Sequence, residues 1–471
     1  MSWENKFCTY AQAFFESEGV PGGAVVVVQD GAVVMAKGFG SRDLETGKPS
    51  TPDTIFGIAS LTKSFTSLAL LMLEAAGELR LEHPVRKYLP MFRYPGLGLD
   101  DGGTVTLRHF ASHTSGIPPL PGLSYALRPS QVGDPGEHHL RSYPPGIPTL
   151  ESYPELLAFL AGQETSPVAA PGEVMSYQND AYALLGAVIE VASGIPYEQF
   201  VKEHILKPLA MTRSTFSSES AGVLGNVTTL YAEDPQGRLF ASPQWEQAPA
   251  HLATGFLKAS ARDLGRYLAF LLDPKKFDLP ISAEGVGRLS VPLTWCAPLT
   301  AYGLGLMIQP NYHGVTLVRH GGGLKGVSSH MGFVPERGLG VAVLSNLEDK
   351  PASRLWLAAV NAVLGLEPET PLYSPPMQEA PLTMKQKLVG HYRSLEPWGK
   401  LVVQLKNDTL LASRGEFLTE LGNLRLAPNG EFFVQRGAFY DGGRWLLDSN
   451  GDVRGVQLGM RFLERQEDAA R

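Results

Sequence analysis

A buried helix with two reactive side chains at its start constrains this chain more than any other stretch. Residues 58–79 carry apolar side chains around the whole helical circumference, contain no proline, and reach their first glycine only at Gly77. This pattern predicts a helix that is buried on all sides. Ser60 and Lys63 lie three residues apart in its first turn. Side chains at this spacing share a helix face, so the hydroxyl and the amine can meet.

The predicted position of Lys63 disfavours its charged form. The positive end of the helix dipole and burial both lower the pKa of a lysine. A neutral amine can take a proton from a serine and so make it a nucleophile. The alternative is that Lys63 extends to water and Ser60 only caps the helix.

Composition limits the size of the protein and its partners. With 471 residues and 44% hydrophobic residues, the chain predicts a soluble protein of two or three domains. A net charge of −7 argues against nucleic acid and against a basic membrane-binding surface. Cys8 and Cys296 have no metal-ligand spacing, which predicts neither a metal site nor a disulfide framework.

The N-terminal residues do not resemble a secretory signal. They lack a basic segment followed by an apolar one, and the longest apolar run of the chain is too short to span a bilayer. We therefore expect a cytoplasmic protein that does not enter a membrane.

Turn and strand patterns divide the chain into two parts. Residues 24–40 predict a hairpin around Asp30-Gly31, and residues 302–309 predict a single strand. A proline-rich stretch, residues 367–381, predicts a linker. Residues 382–471 then alternate in short strands and turns, which predicts a small all-β barrel or sandwich. We therefore expect one domain over residues 1–366 and a second over residues 382–471.

A long segment rich in proline and glycine, residues 117–150, predicts a functional loop. It contains His138 and His139, which we expect to be solvated because no further metal ligands follow at a fixed spacing. His113 lies in a Ser/Thr/Gly turn just before this segment, where a structural hydrogen-bonding role is more typical than a catalytic one.

Two further motifs bear on Ser60 and Lys63. The first is Tyr177-Gln178-Asn179, directly before a predicted helix, where a tyrosine beside a lysine can become a phenolate base. Its alternative is a packed aromatic residue. The second is His320-Gly321-Gly322-Gly323 after a strand, where glycines let a substrate backbone approach and a backbone N–H can stabilise an oxyanion. Its alternative is a glycine turn.

The order Ser-x-x-Lys, Tyr-x-Asn, His-x-Gly within one domain resembles the serine β-lactamase-like superfamily. The resemblance covers about residues 18–366 and includes IFGIASLTKSFTSLALLMLEAAGEL, LRHFASHTSGIP and HGGGLKGVSSHMGFVP. The matching branch contains class C β-lactamases, D-alanyl-D-alanine carboxypeptidases (penicillin-binding proteins), D-aminopeptidases and related esterases. It implies an α+β fold: an antiparallel sheet flanked by helices, with a helical subdomain. The last ninety residues more loosely resemble the lipocalin-like β-barrels appended to some of these peptidases.

The resemblance also implies roles for individual residues. Ser60 would be the acyl-forming nucleophile, and Lys63 and Tyr177 would activate it, with Tyr177 kept basic by Lys63. Asn179 would hydrogen-bond the substrate, and the backbone N–H groups of Ser60 and Gly323 would hold the oxyanion.

The third motif departs from the β-lactamase pattern. His320-Gly321-Gly322 replaces the family's Lys-Thr-Gly strand, so that His320 is a candidate catalytic residue and Gly322 a candidate substrate-binding one. Histidine in place of that lysine resembles D-aminopeptidase-like members and weakens the case for efficient β-lactam hydrolysis. Lys325 could supply the missing cation, although a surface role is the more common one.

These inferences predict a serine hydrolase that works without metal or cofactor on small peptides or amides, some of them with D-residues. A carboxylesterase or weak β-lactamase of the same family is the first alternative, and a non-catalytic protein that binds peptides or β-lactams is the second. The chain could also form a homo-oligomer.

Overall fold

A computed structural model describes residues 2–98, 104–136, 149–348, 350–373, 381–395, 399–414, 419–427, 430–436 and 439–466. His138, His139 and part of the predicted functional loop lie outside the described residues. In the described ranges, no helix is both long enough and apolar enough to cross a membrane.

The α-helices are numbered in chain order. Those of the described residues are α1 (Trp3–Ser17), α2 (Thr62–Ala75), α3 (Leu107–Ala111), α4 (Gly122–Leu127), α5 (Tyr153–Ala161), α6 (Asn179–Ser193), α7 (Tyr197–Val201), α8 (Ser218–Leu224), α9 (Leu252–Gly255), α10 (Ala261–Leu272), α11 (Ala283–Gly287), α12 (Ala352–Val363) and α13 (Leu382–Leu388).

The strands form one large sheet, two small two-stranded sheets and one barrel. Their bounds are β1 (Gly22–Gln29), β2 (Ala32–Asp43), β3 (Lys48–Pro49), β4 (Ile55–Gly57), β5 (Tyr231–Glu233), β6 (Leu239–Ala241), β7 (Lys258–Ser260), β8 (Thr294–Ala297), β9 (Thr300–Tyr302), β10 (Met307–Tyr312), β11 (Val315–Leu324), β12 (Val327–Val334), β13 (Leu339–Ser345), β14 (Gly390–Arg393), β15 (Lys400–Lys406), β16 (Thr409–Arg414), β17 (Thr419–Leu426), β18 (Glu431–Arg436), β19 (Phe439–Leu447), β20 (Val453–Leu458) and β21 (Arg461–Arg465).

The large sheet is antiparallel, in the order β3-β2-β1-β13-β12-β11-β10-β9-β8. Successive side chains of a strand point to opposite faces. Val25 and Val27 of β1 accordingly join a core with α1 and α12, whereas Val26 and Val28 join the larger core that includes α2 and α10. Strand β1 is buried on both faces, which explains its continuous apolar run. The predicted hairpin over residues 24–40 is confirmed by β1 and β2.

Helix α2 crosses the larger core. Its residues from Thr62 to Leu73 are all buried, as predicted for a helix that is apolar all round. A turn of 3-10 helix, Ala59–Leu61, precedes it and carries Ser60. The helix ends at Ala75, and Gly77 follows with a φ of 81° in the left-handed region.

The single strand predicted over residues 302–309 is wrong, because the chain breaks there into β9 and β10. Gly305 lies between the two strands with a φ of 75°. A Cβ at Gly305 would lie 2.8 Å from the carbonyl oxygen of Lys63 and 2.9 Å from the hydroxyl of Ser67. The chain therefore bends at Gly305 where it passes closely over α2.

Strands β14–β21 form a closed antiparallel barrel with its own apolar core. Between the barrel and α12 lies the predicted linker, residues 367–381, of which residues 374–380 are outside the described part of the chain. The described portion packs at its start, where the amide of Asn361 donates to the carbonyls of Pro368 and Thr370. We propose the predicted boundary at residues 367–381, since the two separate cores lie on either side of it.

Candidate active site

Ser60 lies on a constrained turn at the start of α2. Ala59 before it has a φ of 46°, in the left-handed region that an alanine adopts only at a cost. Ser60 itself is partly exposed, whereas Ala59 and Leu61 are buried. Two glycines pack closely against this turn. A Cβ at Gly255 would lie 3.6 Å from the nitrogen of Ser60, and one at Gly322 would lie 2.6 Å from the carbonyl of Ile58.

Lys63 is fully buried and makes three polar contacts. Its Nζ lies 3.2 Å from Ser60 Oγ, 2.9 Å from Asn179 Oδ1 and 2.7 Å from the carbonyl oxygen of Thr254. Burial, reinforced by the charge of Arg461, holds the pKa of Lys63 well below its usual range. A neutral amine has two N–H groups and one lone pair. Asn179 and Thr254 accept the two N–H groups, so the lone pair faces the hydroxyl of Ser60.

Tyr177 approaches Ser60 from the segment before α6. Its hydroxyl donates to Ser60 Oγ over 3.0 Å. Burial raises the pKa of Tyr177, and the hydrogen bond to Ser60 and the charge of Arg461 oppose that rise only in part. Burial therefore works against the phenolate expected from the sequence, and Lys63 is the better proton acceptor of the two.

His113 packs behind Tyr177, with 4.2 Å between the ring centroids. It is buried, and its Nδ1 accepts the backbone N–H of Gln178 over 3.2 Å. These contacts are those of the structural role expected for His113, because they hold the backbone that carries Tyr177.

The glycine-rich stretch occupies the end of β11. Strand β12 pairs with residues 318–324, whereas β10 pairs only with residues 315–319. In the described part of the chain, no strand pairs with the second edge of residues 320–324. Gly322 packs against the Ser60 turn, and a Cβ at Gly323 would meet no atom within 4 Å. The structure thus places an open strand edge beside Ser60.

His320 is buried, and both of its ring nitrogens are engaged within the protein. Its Nδ1 donates to the carbonyl of Gly321, and its Nε2 lies 3.1 Å from the hydroxyl of Tyr302. Burial lowers the pKa of His320 to about 3, so that its ring is neutral. A catalytic role for His320 stays a prediction, and these contacts favour a positioning role beside Tyr177.

The expected surface role of Lys325 is wrong. Its side chain is buried, its Nζ lies 3.0 Å from Asp134 Oδ2, and it donates to the carbonyl of Gln244. The ion pair and this hydrogen bond join Lys325 both to the segment after α4 and to residues near 244. The charge of Lys325 is used inside the protein, which also argues against its role as a cation for the substrate.

Three residues near Ser60 were missed by the sequence analysis. Thr254 is 191 residues from Lys63, Tyr302 lies in the apolar strand pattern of β9, and Arg461 belongs to the barrel. No local motif marks any of them, because a backbone carbonyl, a buried phenol and a strand arginine are common everywhere. In the described residues, no group of His, Cys, Asp and Glu could hold a metal ion.

Comparisons with known proteins agree with this geometry. Residues 8–364 match the family model described as Beta-lactamase. Among curated proteins, the chain is 27% identical over 343 residues to Protein flp of Staphylococcus aureus (strain MW2), a match that covers 71% of this chain but only 61% of that protein. It is 25% identical over 445 residues to Penicillin-binding protein 4* of Bacillus subtilis (strain 168), covering 90% of this chain and 91% of that protein.

Two solved structures are similar over nearly the whole length, barrel included. The octameric penicillin-binding protein homologue from Pyrococcus abyssi has a TM-score of 0.69 at 30% identity, covering 98% of this chain and 99% of that one. SurE has a TM-score of 0.71 at 25% identity, covering 98% of this chain and 100% of that one. Because the family model matches most of the length of this chain, the chain belongs to the beta-lactamase family of serine hydrolases.

Proposed function

We propose that the protein is a serine peptidase or amidase that acts on small peptides through an acyl-enzyme on Ser60. The observation that carries this proposal is the pair of contacts at Ser60 Oγ, 3.2 Å to Lys63 Nζ and 3.0 Å to the hydroxyl of Tyr177. One neighbour is an amine with a lowered pKa, which can accept a proton. The other is a phenol, which can donate one.

The proposed reaction uses these two groups in turn. As Ser60 Oγ attacks the substrate carbonyl, its proton moves to the lone pair of Lys63. The backbone N–H groups of Ser60 and Gly323 stabilise the oxyanion. Tyr177 then gives its proton to the leaving amine and recovers one from Lys63. Water afterwards releases the acyl group by the reverse sequence.

The open edge of β11 supports a peptide as the substrate. Unpaired N–H and C=O groups at a strand edge bind an extended backbone, and the glycines leave room for its approach. Asn179, partly exposed beside Lys63, would hydrogen-bond the substrate amide. A structure of the relative SurE was solved with D-Leu, which supports D-residues among the substrates.

A carboxylesterase or a weak β-lactamase would use the same Ser60 chemistry and differ only in the leaving group. The neutral, fully engaged His320 gives no cation at the position where the family's lysine holds a β-lactam carboxylate, so we rank β-lactam hydrolysis below peptide hydrolysis. The octameric assembly of the relative from Pyrococcus abyssi supports the proposal that this chain also forms a homo-oligomer.

The proposal is tested by labelling with a fluorophosphonate, followed by intact-protein mass spectrometry. We expect a single adduct on the wild type and none on Ser60→Ala, because only Ser60 has a hydroxyl activated by Lys63. The unchanged thermal midpoint of Ser60→Ala would show that the variant is folded.

Turnover assays then separate the candidates. The wild type is given paired p-nitroanilides of L- and D-amino acids, a p-nitrophenyl ester and a chromogenic β-lactam. Amide turnover supports the peptidase, and the ratio of D to L rates defines its class. Turnover of the ester alone would favour the esterase. A wild type without any adduct would contradict the proposal and favour a non-catalytic binding protein.

A further inference from the structure

The tip of a barrel hairpin docks onto the segment that carries Tyr177. Strands β20 and β21 are joined by a two-residue turn, Gly459-Met460, and Leu458 pairs with Arg461 across it. The backbone N–H of Tyr177 donates to the carbonyl oxygen of Met460 over 2.8 Å. The barrel is thus hydrogen-bonded to the backbone of a residue that contacts the nucleophile.

The backbone of this turn has positive φ values at both of its residues. Gly459 and Met460 have φ values of 55° and 62°, the pattern of a type I′ hairpin turn. This is ordinary for glycine and unfavourable for methionine. Met460 packs against the cluster that contains Met175, Tyr177 and Tyr302. The strain at Met460 is therefore compensated at the docking contact itself.

Further contacts line the docked segment. Phe462 of β21 packs against Ala169 and Val174, and its backbone N–H lies 3.5 Å from the hydroxyl of Ser176. On β20, Arg454 donates to the carbonyl of Val168. Together these contacts fix residues 168–177 on one hairpin.

The docked hairpin brings a permanent cation to the site. The guanidinium carbon of Arg461 lies 4.9 Å from the ring centroid of Tyr177, and the amine of Lys63 lies 4.8 Å from the same centroid. An arginine stays charged at all relevant pH values. Burial keeps the other titratable rings and amines that face Tyr177 uncharged. These are Lys63, His113, Tyr302 and His320.

We propose that the barrel completes the hydrolase site by holding Arg461 against Tyr177, as a positioning residue for proton transfer from Ser60. This inference rests on the proposed function of Ser60, Lys63 and Tyr177. The fixed positive charge of Arg461 beside Lys63 and Tyr177 disfavours a second positive charge on Lys63. The amine of Lys63 therefore keeps the lone pair that accepts the proton. The same charge stabilises negative charge that develops on the oxygen of Tyr177 when it donates.

The test is the pH dependence of Ser60 labelling by a fluorophosphonate, measured as a rate constant on the full-length protein. Three variants are compared with the wild type: Arg461→Gln, Arg461→Lys and Arg454→Gln. The first removes the charge, the second retains it, and the third removes an arginine from the same hairpin that contacts neither Tyr177 nor Lys63. Thermal midpoints confirm that each variant is folded.

We expect the acid limb of the labelling profile to move upward by about one pH unit in Arg461→Gln, because the pKa of Lys63 rises when the neighbouring charge is removed. Below that limb, labelling of Arg461→Gln should be about tenfold slower than labelling of the wild type at the same pH. Arg461→Lys should restore the wild-type limb, and Arg454→Gln should leave it in place.

Two results would overturn the inference. An unshifted limb in Arg461→Gln would show that the charge of Arg461 does not act on Lys63 and Tyr177. The same shift in Arg461→Lys or Arg454→Gln would show that only docking of the hairpin matters. These outcomes differ from failure of the proposed function, in which the wild type itself acquires no adduct on Ser60.

Discussion

The contacts of Lys63 decide which group can accept the proton of Ser60. Carbonyl-type oxygens of Asn179 and Thr254 take two of the three directions around its nitrogen, and Ser60 takes the third. An ammonium group would also be satisfied by these partners, but burial and Arg461 oppose its charge. In the proposed mechanism, the protonation state of Lys63 therefore sets the activity of the site at low pH.

We predict that labelling of Ser60 rises with pH through a limb well below the usual lysine pKa of 10.5. The sign follows from the lowered pKa: Lys63 is protonated and inactive below the limb, and neutral and active above it. Lys63→Met should slow labelling by about 10³-fold and abolish this limb. The rate constant of labelling, measured at a series of pH values for the wild type and for Lys63→Met, tests both the loss of rate and the loss of the limb.

Tyr177→Phe is the matched variant for this measurement. It removes the donor to the leaving group and should retain the limb, which belongs mainly to Lys63. A limb that disappears in Tyr177→Phe and persists in Lys63→Met would reverse the two roles.

The sequence could predict the contact between Ser60 and Lys63 because both lie in one helical turn. Tyr177 and Asn179 were predicted from the ordered motifs, which carry long-range information that spacing alone does not. Burial of Lys325 was not predictable, since its partner Asp134 is almost 200 residues away and neither residue lies in a motif. The contact of Arg461 with Tyr177 joins two separate cores, and no periodicity in either segment indicates it.

At the scale of elements, the site is the place where α2, the segment before α6 and β11 converge. Strand β11 fits against the Ser60 turn because Gly322 has no side chain there. A Cβ at Gly322 would lie 2.5 Å from Ser329 Oγ and 3.0 Å from the Cβ of Ala59, in addition to the close carbonyl of Ile58. Ser329 also donates to that carbonyl over 2.7 Å and so fixes the turn.

We therefore predict that Gly322→Ala displaces β11 from the Ser60 turn. Labelling of Ser60 should fall by about 10²-fold, the scale of loss when reacting groups are misplaced by about 1 Å. The rate constant for the fluorophosphonate and the thermal midpoint are the measurements.

Gly323→Ala is the control for adding a methyl group to this strand. Open space surrounds its Cβ position, so its thermal midpoint should match the wild type while that of Gly322→Ala falls. Equal midpoints for the two variants would contradict the packing argument.

Element types were more predictable than element breaks. Alternation and turn residues predicted the hairpin of β1 and β2 and the strands of the barrel. The break between β9 and β10 depends on the approach of Gly305 to the backbone of Lys63, a tertiary contact that leaves no trace in the local pattern.

At the scale of the whole molecule, one strand of the barrel packs against both parts of the chain. Neighbouring residues of β21 point in opposite directions: Leu463 lies in the barrel core, whereas Phe462 packs against Ala169 and Val174 in the segment that leads to Tyr177. Both side chains are buried. Phe462 thus belongs to the contact between the two parts, and Leu463 belongs to one of them.

We predict that Phe462→Ala weakens the contact between the barrel and the site at a cost of about 3 kcal/mol. Calorimetry should show two separate unfolding transitions in the variant, and Ser60 labelling should slow because residues 168–177 lose their support. Leu463→Ala should destabilise the barrel by a comparable amount without slowing the labelling. Equal labelling rates in the two variants would show that the barrel does not support the site.

The left-handed backbone of Ala59 has a consequence for how this protein can change. A glycine would adopt the same φ without the cost of about 1 kcal/mol that alanine carries. Loss of the methyl group of Ala59 would, however, loosen the packing with Leu230 and Val327 that holds the turn. Laboratory selection for heat resistance alone would have reason to accept glycine at this position, whereas selection that also demands a fixed nucleophile would keep the alanine.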